Sequence, residues 1–151
     1  MALQIETKII FSQSAEQEAY FHPKVCVEAH SGELLMTLQT LRGSDFYGPP
    51  LCSRSDDLGE SWSEPSPISS LGIHPYEDER IFEGVCDVVP DYHSKSGKTL
   101  AIGHNVFYLK EGFLDTMGDF SGTATQDLQR YSVYSVADQQ GNWSERKMLR
   151  F

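Results

Sequence analysis

Hydrophobic and polar residues alternate in short runs along this chain, and Gly, Pro, Ser or Asp breaks the runs every few residues. Alternation with a period of two marks half-buried strands, and the breaks mark turns. Strands are predicted at Thr7–Phe11, Lys24–His30, Glu33–Thr40 and Leu51–Ser55, with a Ser31-Gly32 turn between the second and third. The loop Arg42–Pro50 is rich in Gly, Ser, Asp and Pro. A tight turn follows Ser55, and Trp62 leaves it. After a long proline-bearing connection, Pro65–Phe82, the pattern resumes. Strands are predicted at Gly84–Pro90, Thr99–Tyr108, Arg130–Ala137 and Trp143–Leu149, with turns at His93–Gly97 and Asp138–Gly141. Glu111–Gln129 is polar and Gly-rich and reads as a loop or insertion. No long helical period is present; a short helical turn fits Ala15–Tyr20.

The two halves resemble each other. Val25-Cys26-Val27 pairs with Val85-Cys86-Asp87, Ser31-Gly32-Glu33 with Ser96-Gly97-Lys98, and Leu34-Leu35-Met36 with Leu100-Ala101-Ile102. The best match joins Asp57–Glu64 to Asp138–Glu145, with the glycine displaced by one place in the second copy. Repeated units of several short strands predict a β-propeller or a related array. The expected fold is all-β: about two four-stranded antiparallel blades, at 22–70 and 83–151, plus an N-terminal strand.

The segment Ser55-Asp56-Asp57-Leu58-Gly59-Glu60-Ser61-Trp62 fits the pattern S-x-D-x-G-x-[ST]-W. Its spacing has a physical reason. Asp57 can accept hydrogen bonds from its own turn, Gly59 allows the positive φ of a tight hairpin, and Trp62 can cover an apolar edge. The pattern resembles the Asp box of the sialidase (neuraminidase) superfamily, whose bacterial neuraminidase repeats build six-bladed propellers. The resemblance extends over roughly residues 20–150, through His22-Pro23-Lys24-Val25, Gly32–Gln39, Gly43–Pro49 and Glu83-Gly84-Val85-Cys86-Asp87. It implies that Ser55, Asp57, Gly59, Ser61 and Trp62 are structural, on an outer turn away from the central pocket. It also implies six blades where this chain has two, so a piece of a longer protein is expected, or else self-association of several copies.

The implied activity is that of an exo-α-sialidase-type glycoside hydrolase acting on terminal sugars of glycans, incomplete in this chain. The alternatives are a non-catalytic carbohydrate-binding propeller and a purely structural one, since one fold hosts many functions. Sialidases hold the substrate carboxylate with three arginines, because guanidinium forks match carboxylates. The first of these stands in an F/Y-R-I-P motif; here that position reads Tyr20-Phe21-His22-Pro23, and the arginine is missing. The acid/base aspartate falls before the first Asp box, where Asp45 stands, with Arg42 just ahead of it. Asp45 is therefore the catalytic candidate. His22, Lys24, Arg42, Glu83, Asp87 and His104 are candidates for substrate contact. Of these, Glu83, Asp87 and His104 interrupt apolar strand-like runs, and a polar group there needs a partner or a pocket.

Charge and cysteine content narrow the classes further. The net charge of −10 disfavours a nucleic-acid partner, which needs a basic face. No basic run or span-length apolar run suggests a membrane, and no secretory signal is visible, so a cytoplasmic location is expected. Cys26, Cys52 and Cys86 lie far apart, with no Cys/His spacing that suggests zinc, and read as buried free thiols. No cofactor and no metal are expected, and the expected partner is a glycan or small sugar.

Overall fold

The computed structural model describes residues 7–12, 18–42, 46–76, 81–109 and 128–149. The predicted catalytic Asp45 and the loop Glu111–Gln129, apart from its last two residues, lie outside these. So does most of the proposed helical turn, whose last residues, Ala19 and Tyr20, instead open a strand.

The described chain is all-β, in two antiparallel sheets. The first contains β1 (Ala19–Glu28), β2 (Glu33–Arg42), β3 (Phe46–Tyr47), β4 (Leu51–Ser55) and β5 (Ser66–Pro67). Its order is β1-β2-β4-β5, with β3 paired to the end of β2. The second contains β6 (His74–Pro75), β7 (Ile81–His93), β8 (Lys98–Leu109), β9 (Ser132–Ala137) and β10 (Lys147–Met148), in the order β10-β9-β8-β7-β6. Each sheet is thus a four-stranded meander with one short added strand, as in consecutive blades of a β-propeller. The expected first strand, Thr7–Phe11, joins no ladder. A strand needs a hydrogen-bonding edge, and these residues instead cross the face of the first sheet, where Lys8–Phe11 border a hollow with Tyr20, Pro23, Met36 and Leu38.

Hairpin chemistry repeats between the sheets. The amides of Ser31 and Gly32 donate to Glu28 O, and those of Ser96 and Gly97 to His93 O. Gly32 and Gly97 both have positive φ. These turns fix the repeat by register. Glu28 pairs with Glu33 as His93 pairs with Lys98, and Phe21 pairs with Gln39 as Cys86 pairs with His104. The structural counterpart of Cys86-Asp87 is therefore Phe21-His22, not Cys26-Val27 as the Val-Cys match suggested, and Leu35 rather than Leu34 corresponds to Leu100. A shared dipeptide is weaker than a turn in setting register, because one slipped residue sends every side chain to the opposite face.

The two sheets are joined by apolar packing and by buried hydrogen bonds. Ile68, Leu71, Val85, Val88, Ala101 and Val133 form the shared core, with Cys52, Tyr131 and Trp143 packed against it. Ile68 and Leu71 come from the segment predicted as a plain connection; Ile68 precedes and Leu71 ends a 3₁₀ turn, Ser69–Leu71, and both are fully buried. Burial of each contributes about 1.5–3 kcal/mol. Thr37 Oγ1 donates to Val88 O at 2.8 Å, and Gln39 Nε2 donates to Val85 O at 2.8 Å and Gly48 O at 2.9 Å. Glu28, 4% exposed, takes both guanidinium nitrogens of Arg54 and the hydroxyl of Thr99 from the other sheet. Burial pushes the Glu28 carboxyl up, but hydrogen bonds from Arg54 and Thr99 and the Arg54 charge outweigh it, so its net shift is downward.

Both tryptophan-bearing turns are built alike. Asp57 accepts from Ser55 Oγ (2.8 Å), the Ser61 amide (2.8 Å) and Ser61 Oγ (2.6 Å), while Trp62 Nε1 donates to Gly59 O. Asp138 accepts from the amides of Gln140 and Asn142 and from Asn142 Nδ2. Gly59 and Gly141 take φ of +92° and +83°. The strands feeding these turns match too. Ser53 Oγ donates to Ser63 O as Ser135 Oγ does to Ser144 O. The Arg54 and Val136 amides donate to the hydroxyls of Ser63 and Ser144.

Candidate functional site

The inner strands of the two sheets, β1 and β7, break their ladders at the same place. In β1 the register shifts between Phe21 and Lys24; in β7 it shifts between Cys86 and Val89. Each is a β-bulge, with two residues facing one on the partner strand. The bulged residues His22 and Asp87 have φ of 49° and 53°. Neither is glycine, so the left-handed backbone is strained at both, and such strain gathers at functional positions. Gly103 faces the β7 bulge. A Cβ there would lie 2.5 Å from Cys86 O, so only glycine lets the bulge close against β8.

A bulge re-aims side chains, and here it collects four of them. Cys86 and His104 are ladder partners, so they share a face, and Cys86 Sγ lies 3.0 Å from His104 Nε2. In a regular strand Asp87 would point to the other face. The bulge instead brings Asp87 Oδ2 to 4.0 Å from both Cys86 Sγ and His104 Nε2. The donor atoms of Cys86, Asp87 and His104 all lie within 4.8 Å of one another, a grouping that could hold a metal ion. His22, from the matching bulge in the first sheet, places Nδ1 2.5 Å from Asp87 Oδ1. That approach lacks hydrogen-bond geometry, and the buried Nδ1 has no hydrogen-bond partner among the described residues.

The cluster is open on one side. The side chains of His22, Asp87 and His104 are 35%, 43% and 44% exposed, whereas Cys86 is buried. Burial, then the Asp87 charge, push the Cys86 thiol up to about 12, so by itself it is not a nucleophilic thiolate. His22 stacks on Phe21 at 3.6 Å between ring centroids, and Tyr47 lies 6.4 Å from His22. His104 also borders an open hollow of about 870 Å³ lined by Gln129, Arg130, Tyr131, Ser132, Met148 and Leu149.

Other candidates lie elsewhere. Lys24 and Arg42 are exposed and form no ion pair among the described residues. Glu83 is 2% exposed and belongs to an internal network. It accepts from Asn105 Nδ2 (2.9 Å) and Tyr131 Oη, and pairs with Arg146 at 2.7 Å. Burial, then the hydrogen bond to Glu83, raise the Tyr131 hydroxyl to about 12. These partners satisfy the Glu83 carboxylate within the described residues, apart from the bulge cluster. Ser55, Asp57, Gly59, Ser61 and Trp62 are all engaged within their own turn, between β4 and β5, the two strands farthest from β1 in the sheet order.

Cys86 is the member of the cluster that sequence reading set aside. Its apolar neighbours marked it as a core thiol, and its adjacency to Asp87 was the one available hint. Cys26 and Cys52, also free, are only partly buried, unlike the expectation for all three. No family model matches the chain, and no curated protein matches it.

Proposed function

We propose that this chain forms a portion of a sialidase-type glycan-processing propeller, with the bulge cluster on its inner edge as part of the sugar pocket. The observation that carries this reading is the matched pair of bulges. Two repeats place strained polar residues, His22 and Asp87, side by side on the inner strands, while the aspartate turns sit on the outer strands. Glycoside hydrolysis needs a carboxylic acid at the leaving oxygen and a second group on the opposite side of the anomeric carbon. Asp45, before the Asp57 turn, is the proposed acid/base. Asp87, exposed and flanked by imidazoles, is the proposed second carboxylate at the pocket. Phe21 and Tyr47, with ring centroids 6.0 Å apart, are the proposed aromatic contacts for the sugar.

A non-catalytic glycan-binding role is favoured by one specific feature. Phe21 stands where the family's first carboxylate-binding arginine belongs, and the imidazole of the adjacent His22 does not reproduce a guanidinium fork. The test is release of a fluorophore from a sialic-acid glycoside by the full-length protein. Release lost in Asp45→Ala supports the enzyme. Glycan binding without release, abolished by Asp87→Ala, supports the binding module. Neither release nor binding rejects both.

A further inference from the structure

We infer that Cys86, Asp87 and His104 form a binding site for a divalent transition metal of the zinc class, open to solvent and flanked by His22. The donor set is a cysteine sulfur, which releases its proton to solvent and binds as the thiolate when the metal arrives, an imidazole nitrogen and a carboxylate oxygen, the three ligand types zinc accepts. Tetrahedral zinc with bonds of about 2.0–2.3 Å sets its ligand atoms about 3.3–3.6 Å apart. The three separations here are 3.0, 4.0 and 4.0 Å, which bracket that spacing. Each atom reaches a shared centre by moving about half an ångström or less. A mixed sulfur, nitrogen and oxygen set disfavours magnesium and calcium, which take oxygen ligands.

The backbone holds this arrangement ready. Cys86 and His104 are fixed by their ladder pairing, and Asp87 is turned onto their face by the bulge. The bulge is anchored on each side by buried side chains of β2, through Gln39 to Val85 O and Thr37 to Val88 O. Sites whose supporting groups are locked bind metal more tightly. His22 Nδ1, buried, beside Asp87 Oδ1 and without a hydrogen bond among the described residues, is placed to orient the carboxylate or to enter the fourth position. The exposed side chains of Asp87 and His104 leave a route for the ion. The spacing of Cys and His along the chain gives no sign of such a site, because its ligands come from a bulge and from the strand across from it.

The site shares Asp87 and the bulge cluster with the proposed sugar pocket, and the two are tested by separate readouts. Metal-free full-length protein is titrated with cobalt(II), then with zinc(II), in the presence of a competing chelator. The thiolate-to-cobalt charge-transfer absorption is recorded. One equivalent of cobalt, showing that absorption and displaced by zinc, is expected. Cys86→Ser should abolish the absorption, and Asp87→Asn and His104→Gln should each weaken binding at least tenfold. His22→Ala should weaken it about 10- to 100-fold, as loss of an outer partner does. Cys26→Ser and Cys52→Ser should leave binding unchanged. Circular dichroism checks folding, and if Cys86→Ser does not fold, His104→Gln carries the test from an exposed side chain. Absence of stoichiometric binding, or cobalt absorption that persists in Cys86→Ser, overturns the inference. Metal binding without any glycan binding leaves this site standing and removes the sugar reading; glycan binding without metal does the reverse.

Discussion

The clamp between the sheets yields a prediction whose size follows from the hydrogen bonds. Thr37 is fully buried, and its hydroxyl donates to Val88 O, beside the β7 bulge. Thr37→Val keeps the shape and removes the donor. The carbonyl is left short of a partner in a dry interface, at a cost of about 1–3 kcal/mol. Gln39→Leu removes two donations, to Val85 O and Gly48 O. The loss is partly offset, because Gln39 Oε1 is itself buried without a partner among the described residues, and its removal relieves a penalty of similar kind. The net cost of Gln39→Leu is therefore also about 1–3 kcal/mol, not twice that of Thr37→Val. The two residues hold one bulge, so their effects should be non-additive in the double variant. Urea unfolding is the assay. With a slope of about 2 kcal/mol per molar, each midpoint should fall by roughly 0.5–1.5 M with the slope unchanged. A parent-like midpoint for both single variants would refute the claim that β2 side chains anchor the β7 bulge.

Three further outcomes are expected. Gly59→Val should lower stability by about 1–2 kcal/mol, because the side chain must adopt φ near +92°, without altering binding at the inner edge; equal melting temperatures would show that the turn does not need a left-handed residue. Hydrogen bonds from the Ser61 hydroxyl and amide, then from Ser55, depress the Asp57 carboxyl from 3.8 to about 2. A depressed folded pKa contributes stability above the unfolded value that is lost as pH falls through the folded one, so acid should weaken the parent between about pH 4 and pH 2. Asp57→Asn should be less stable at neutral pH and flatter across that window, and parallel melting curves would contradict this. Arg146→Met strands the Glu83 carboxylate, whose side chain is 3% exposed, and should cost about 2–4 kcal/mol by chemical denaturation; a change under about 0.5 kcal/mol would rule out the ion pair.

Much of the fold is legible in local pattern. Leu51–Ser55 is read to the residue and the other main strands are located, because alternation and Gly-bearing turns are local signals, but β1 starts five residues before the predicted Lys24 and the predicted strand Trp143–Leu149 shrinks to Lys147–Met148. The Asp57 and Asp138 turns are legible for the same reason, since every bond in them joins near neighbours. Ile68 and Leu71 were hidden: a short 3₁₀ turn between prolines looks like surface, and only the second sheet buries it. The pairing of Glu83 with Arg146 was hidden likewise, since nothing local links residues so far apart in the chain. Asp87 and His104 were visible as polar residues in strand-like runs, and His22 as a candidate just ahead of Pro23 and the predicted strand. Their meeting point was not, because left-handed backbone at His and Asp carries no glycine signal.

The central claim is that chemistry gathers at the paired bulges of the inner strands and not at the tryptophan turns. Amide chemical shifts of isotope-labelled full-length protein, followed during titration with sialic acid, test it most directly. The account predicts saturable shifts at Phe21–Lys24, Cys86–Val89 and His104, with Ser55–Trp62 and Asp138–Trp143 unmoved. Shifts confined to those two turns, or no saturable shift anywhere, would contradict it.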